Sequence, residues 1–220
     1  MPAIKTTASV VLVHGAWADG SSWAKVIEPL QSRGLNALAA PIPLTSLSDD
    51  IAALERAPAR TDGPVVLVGH AYAGAVIGAS LNERVRSLVF IAALAPDEGE
   101  AVGELFYREK PHPKAPQLAP DAHGLVWLPD GAFGAAFCQH ASPEQAALLG
   151  AVQRPIALAC IQEKAPSPSW KPFHSSEKTG PRQRSHSTDL PAIHGSFDFD
   201  FWGLGRAGCA KMASCISSTS

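Results

Sequence analysis

Short aliphatic runs closed by small residues alternate along the first 93 residues with stretches whose apolar positions recur every three to four residues. Ser9 to His14 (SVVLVH) has no helical period and stops at Gly15, the pattern of a strand buried on both faces. From Ser22, which stands at the N-cap position, Trp23, Val26, Ile27 and Leu30 follow helical spacing, and the helix closes at Gly34, where positive φ is tolerated. Leu35 to Ala40 reads as a second strand closed by Pro41 and Pro43, and Leu47, Ile51 and Leu54 mark a helix ending before Pro58. Pro64 to Gly69 (PVVLVG) is a third buried strand. Ala71 to Leu81, rich in alanine, predicts a helix lying close on the sheet, and Arg86 to Ala93 (RSLVFIAA) is a fourth strand. Strand and helix in alternation predict right-handed βαβ units, hence a mostly parallel α/β sheet in three layers.

Residues 96–141 break this rhythm with many Pro and Gly and scattered aromatics (Phe106, Tyr107, Trp127, Phe133, Phe137). The stretch is too long for an ordinary connection and reads as a lid insertion carrying one or two short helices. Ser142 to Gln153 then opens with an N-cap Ser, Pro143 at the first helical position and Gln145 closing a capping box, so a helix follows. Pro155 to Ile161 is one more apolar segment. Past residue 164 the pattern stops: Val, Ile and Leu number 39 in residues 1–164 and 4 in residues 165–220, where Ser, Pro and Gly supply 21 of 56 positions. We expect a core over 1–164 and an atypical, loop-rich C-terminal segment over 165–220, since so little apolar area does not offset ordering entropy.

The whole chain, 220 residues with net charge −2, suits one domain and carries no basic field for nucleic acid or anionic membrane. No run approaches the roughly 20 apolar residues of a membrane span, and no basic, then apolar, leader opens the chain. A cytoplasmic protein is the expectation. Cys138, Cys160, Cys209 and Cys215 lack CxxC spacing, so reduced thiols are expected and no metal site is indicated.

The third strand runs through Gly69-His70-Ala71-Tyr72-Ala73-Gly74 directly into a helix. Such a sharp turn needs small residues and projects its middle side chain above the sheet at a helix N-terminus. Upstream, Val11-Leu12-Val13-His14-Gly15-Ala16-Trp17 is followed by Ser22-Trp23, and Ile91 to Gly99 (IAALAPDEG) leads from the fourth strand into the insertion. In order and spacing these three segments, spread over residues 9–164, resemble the α/β-hydrolase superfamily, in particular its small esterase and hydroxynitrile-lyase-like branch. The resemblance implies a hydrolase fold with a nucleophile elbow, no cofactor and a small carbonyl or ester compound as substrate or ligand. It also places the two oxyanion-hole N–H donors at Ala16 or Trp17 and at Tyr72, with His14 and His70 bordering the pocket. Both histidines are more often structural than catalytic in that family. The hydroxyl of Tyr72 points either toward the pocket or into packing under the lid.

The departures are as specific as the match. Where the family elbow reads Gly-x-Ser-x-Gly, this chain has Ala71 at the nucleophile position and Ala73 at the second glycine. A methyl group neither loses a proton to a base nor attacks a carbonyl, whereas backbone donors survive any side-chain change. A natural non-nucleophilic homologue, an inactivating substitution, or a scaffold for general-base chemistry would each place alanine there, and the second change at Ala73 favours the first. The resemblance further implies an acid and a His on closing strands after Trp170. The sequence there shows no convincing strand; Asp189, His186 and His194 are the candidates, and solvated loop residues are the plainer reading. A shift of reading frame in the coding sequence near residues 165–175 would produce the same loss of pattern, which translation of the two other frames tests. Two functions follow: an esterase-like hydrolase with weak or absent Ser-dependent activity, or a non-catalytic small-ligand or partner-binding derivative of the same fold, a pseudoenzyme.

Two further motifs dissolve on inspection. Gly203-Leu204-Gly205-Arg206-Ala207-Gly208 matches GxGxxG but follows no buried strand, and Gly69 to Gly74 has Ala75-Val76 where a phosphate loop requires Lys-Ser/Thr.

Overall fold

The computed structural model describes residues 8–108 and 115–170. Four parallel strands, β1 (Ser9–Val13), β2 (Asn36–Ala40), β3 (Val65–His70) and β4 (Val85–Ile91), form a sheet in the order β2-β1-β3-β4. β1 pairs with both β2 and β3, Val11 facing Leu38 on one side and Leu67 on the other. The strand order switches between β1 and β3, the point at which open α/β sheets take ligands in a crevice outside the carboxyl ends of the strands.

Strand alternation sends side chains to two cores. Val11, Val13, Val65 and Leu67 pack with α2 (Leu47–Leu54) and α3 (Ala73–Gly78), while Leu12 and Val68 face the other way toward Trp23, Val26, Ile27 and Leu30 of α1 (Ala24–Ser32) and the turn before it. The predicted elements stand with trimmed ends. Ser22, expected as the helix N-cap, instead lies inside a 3₁₀ turn (Gly20–Trp23) that Asp19 caps through its carboxylate and the N–H of Ser21. The acidic side chain two residues upstream reaches the orphan donors first.

After β4 come α4 (Val102–Phe106), β5 (Leu125–Val126), α5 (Asp130–Phe137), α6 (Pro143–Ala151), β6 (Ile156–Ala157) and α7 (Leu158–Gln162). The predicted capping box at the start of α6 is present: Gln145 N–H donates to Ser142 Oγ and Ser142 N–H to Gln145 Oε1. β5 and β6 pair antiparallel, and the base of the segment is closed by Gly99 N–H donating to the Ala165 carbonyl and Ala165 N–H to that of Glu100. Ser169 N–H and Oγ then both donate to the Gly78 carbonyl, and the Trp170 ring covers α3 at Gly78 and meets Phe90 edge-on, its centroid 5.4 Å away.

Glycines in the sheet region are dictated by space. A Cβ on Gly69 would stand 2.8 Å from the Ala73 carbonyl oxygen, and one on Gly74 would meet the Leu94 carbonyl oxygen at 2.5 Å. Both obstacles are backbone. Gly131, near the start of α5, has open space instead. Gly74→Ala should therefore lose about 1–3 kcal/mol in urea unfolding, as overpacked sites do. Gly131→Ala should gain about 0.5–1 kcal/mol as an exposed helix position. Equal effects of the two would contradict this packing.

Candidate active site

Each sheet strand is followed at its carboxyl end by a non-glycine residue at positive φ: Trp17 (59°) after β1, Leu44 (62°) after β2, Ala71 (51°) after β3 and Ala92 (43°) after β4. L-residues adopt this region at a cost of roughly 1–2 kcal/mol each, and such strain gathers where a fold holds a site in place. The four follow the carboxyl ends of the strands, and Trp17 and Ala71 follow β1 and β3, the pair at which the strand order switches.

At that switch β3 turns into α3 within three residues. Ala71 N–H donates to the Ile91 carbonyl, and the Ala71 carbonyl accepts from both Gly74 and Leu94 N–H, which holds the turn at both ends. The loop after β1 lies against it: a Cβ on Gly15 would sit 3.0 Å from the His70 carbonyl oxygen and 3.1 Å from Ala71 Cβ. Ala16, Trp17, Ala71 and Tyr72 are thus brought to one place from two strands. Among the described residues no acceptor takes the backbone N–H of Ala16, Trp17 or Tyr72. Three donors at one strand-end crevice suit an oxygen that gains negative charge.

The Trp17 indole is buried and donates from Nε1 to the Val126 carbonyl at 2.9 Å, so β5 steadies the loop. His14, also buried, has Nδ1 3.0 Å from the Gly15 carbonyl, a bond made by the Nδ1-protonated tautomer. Burial lowers its pKa. His70, half-buried at the end of β3, lies edge-on to Trp23, centroids 6.4 Å apart, and desolvation pushes its pKa down to about 4.

Tyr72 turns its side chain away into the core. It is 3% exposed, and its hydroxyl donates to Asp50 Oδ2 at 2.7 Å. Asp50, 0% exposed, also accepts Leu44 N–H at Oδ1 (2.7 Å) and the Cys160 thiol at Oδ2 (3.7 Å). Burial raises the Asp50 pKa against the lowering effect of its donors, Tyr72 first, and pushes the Cys160 thiol up to about 12. Sequence reading missed Asp50. A signal existed: Leu47, Asp50 and Leu54 share one face of α2, so a carboxylate interrupts an apolar stripe. His186, Asp189 and His194 lie outside the described residues.

The profile of the Alpha/beta hydrolase family matches residues 10–180, well over half of the chain. The chain belongs to this family. No curated protein matches it. Solved structures of the same fold include polyneuridine aldehyde esterase, at 22% identity and TM-score 0.60 over 73% of this chain and 74% of that one. An extracellular alpha/beta-hydrolase from a Paenibacillus species matches at 20% identity and TM-score 0.57, covering 73% and 71%. Tomato methylketone synthase I, solved with 2-tridecanone, matches at 20% and 0.55, covering 69% and 68%. At these identities the likeness establishes the α/β-hydrolase fold, a parallel sheet flanked by helices.

The desolvated ring of His70 gives this hydrolase-fold protein a pH signature. Between its ordinary pKa of 6.5 and about 4, the unfolded chain binds a proton that the folded one refuses, so stability falls as pH drops through that window. Urea unfolding at pH 7 and pH 4.5 should show this loss, and His70→Gln should shrink the difference by about 2 kcal/mol. An unchanged difference would show that His70 is not held neutral.

Proposed function

We propose that this chain is an esterase-like member of the family that takes a small carbonyl or ester compound at the crevice, with Ser-dependent hydrolysis weak or absent. The observation that carries this is Ala71, held at φ 51° at the tip of the strand-to-helix turn, against the loop of Ala16 and Trp17. In this reading Ala71 occupies the nucleophile position, and the N–H groups of Tyr72 and of Ala16 or Trp17 form the oxyanion hole. Donors without a nucleophile polarise a carbonyl but form no acyl-enzyme; by the serine-triad precedent such a site retains about 10³ to 10⁴ over the uncatalysed rate.

The described cysteines do not replace the missing hydroxyl. Cys160 is buried, protonated and bonded to Asp50, and burial raises the pKa of Cys138 beyond the end of α5. A nucleophilic thiol needs the opposite shift. Acid and base roles for Asp189 and for His194 or His186 belong to the proposal and rest on the family pattern. The second reading, a ligand-binding derivative without turnover, draws on the same alanine. In both readings the insertion over residues 96–141 serves as the lid, a role supported by the bond from the Trp17 indole to Val126 of β5.

Hydrolysis of p-nitrophenyl acetate tests this directly. The protein as it stands should release no stoichiometric burst of nitrophenol; a burst would overturn the assignment of Ala71. Ala71→Ser then separates the two readings. A burst in the variant shows that an acid and a His reach the elbow, and silence favours ligand binding alone.

A further inference from the structure

Asp50 stands apart from everything the elbow motif explains. It sits on α2, away from the strand ends, yet its carboxylate joins three segments: Leu44 of the β2–α2 loop, Tyr72 of the elbow and Cys160 of α7. None of the groups that act on it is a cation. A carboxylate buried without a counter-ion is costly, and an aliphatic side chain of similar volume would fill the space at less expense in stability. What the carboxylate adds is direction, two oxygens that fix where their donors lie.

The donor that matters is Tyr72. Its side chain has only two rotatable bonds before a rigid ring, so anchoring its hydroxyl at 2.7 Å also anchors its backbone. We propose that Asp50 is a positioning residue for the elbow, holding the backbone N–H of Tyr72 in the direction an oxyanion donor needs by accepting the Tyr72 hydroxyl. This rests on the reading of Tyr72 N–H as an oxyanion donor. The same carboxylate holds Leu44, the neighbouring residue at positive φ, by its N–H. Asp50 therefore ties two of the four strained strand ends together.

Backbone ¹⁵N order parameters of the full chain test the proposal, because they follow local order and not global stability. Tyr72 N–H should be as rigid as ordered backbone, about 0.85, in the wild type. It should fall below about 0.7, toward the flexible range, in Tyr72→Phe and in Asp50→Leu, with Val76 in α3 unchanged. Asp50→Asn, whose amide can still engage both Leu44 and Tyr72, should restore rigidity. Cys160→Ala, which removes a donor but leaves the Tyr72–Asp50 bond, should keep it. Unchanged order at Tyr72 in both breaking variants would overturn the proposal; should Asp50→Leu fail to fold, Tyr72→Phe decides alone. Titration with acetate on the same samples separates the underlying reading. The Tyr72 amide should shift saturably, with affinity at least threefold weaker in Tyr72→Phe. If acetate leaves that amide unmoved while its order still falls in the variants, Asp50 positions the elbow and the oxyanion-donor reading fails.

Discussion

At Gly15 a side chain would begin 3.0 Å from the His70 carbonyl oxygen and 3.1 Å from the Ala71 methyl, tighter than ordinary contact, so the two loops meet most closely where there is only a hydrogen. That contact is possible only because β1 and β3 pair in parallel with Val13 beside Gly69, so that both strands end at the same height. From it follows the meeting of the loops after β1 and β3 at the switch in strand order, with buried His14 and half-buried His70 beside them. A side chain at Gly15 would push the loops apart and with them every donor they carry.

Backbone strain gathers at the strand ends, and hydrogen bonds hold three of the four strained residues. Trp17 is fastened by its indole to β5, Leu44 by its N–H to Asp50 and its carbonyl to Ala157, and Ala71 by two backbone bonds to the β4 side of the sheet, with Ile91 and Leu94, and one with Gly74 of α3. Individual bonds of this kind contribute about 1 kcal/mol net, comparable with the cost of one left-handed L-residue. Strain and support are therefore balanced locally at the ends of β1, β2 and β3, without enlarging the core.

The proposed function follows from a division of labour between backbone and side chain. Oxyanion donors belong to the backbone and depend on where the chain runs, so replacement of a side chain at the elbow leaves them in place. The nucleophile belongs to one side chain and vanishes with one substitution. Under the proposed function, a strained turn that carries Ala71 is suited to hold a polarised oxygen more than to break an ester.

Strands and helices were legible in the sequence because their signals are periodic and local: aliphatic runs for strands buried on both faces, three-to-four spacing for helices, and small residues at the elbow. The capping box of α6 was legible for the same reason, whereas the turn at Asp19 to Trp23 was misread, since Asp19 takes the Ser21 N–H while the Ser22 hydroxyl donates to the Asp19 carbonyl. The direction of the Tyr72 hydroxyl, the anchoring of Trp17 on Val126 and the burial of Asp50 join residues 22 to 110 positions apart. By itself the sequence determined the order of elements and the absence of a hydroxyl at the elbow, because both are properties of single positions and short windows. Only the tertiary structure decided which groups face each other around the crevice, because that depends on strand register and on which loop reaches which carbonyl.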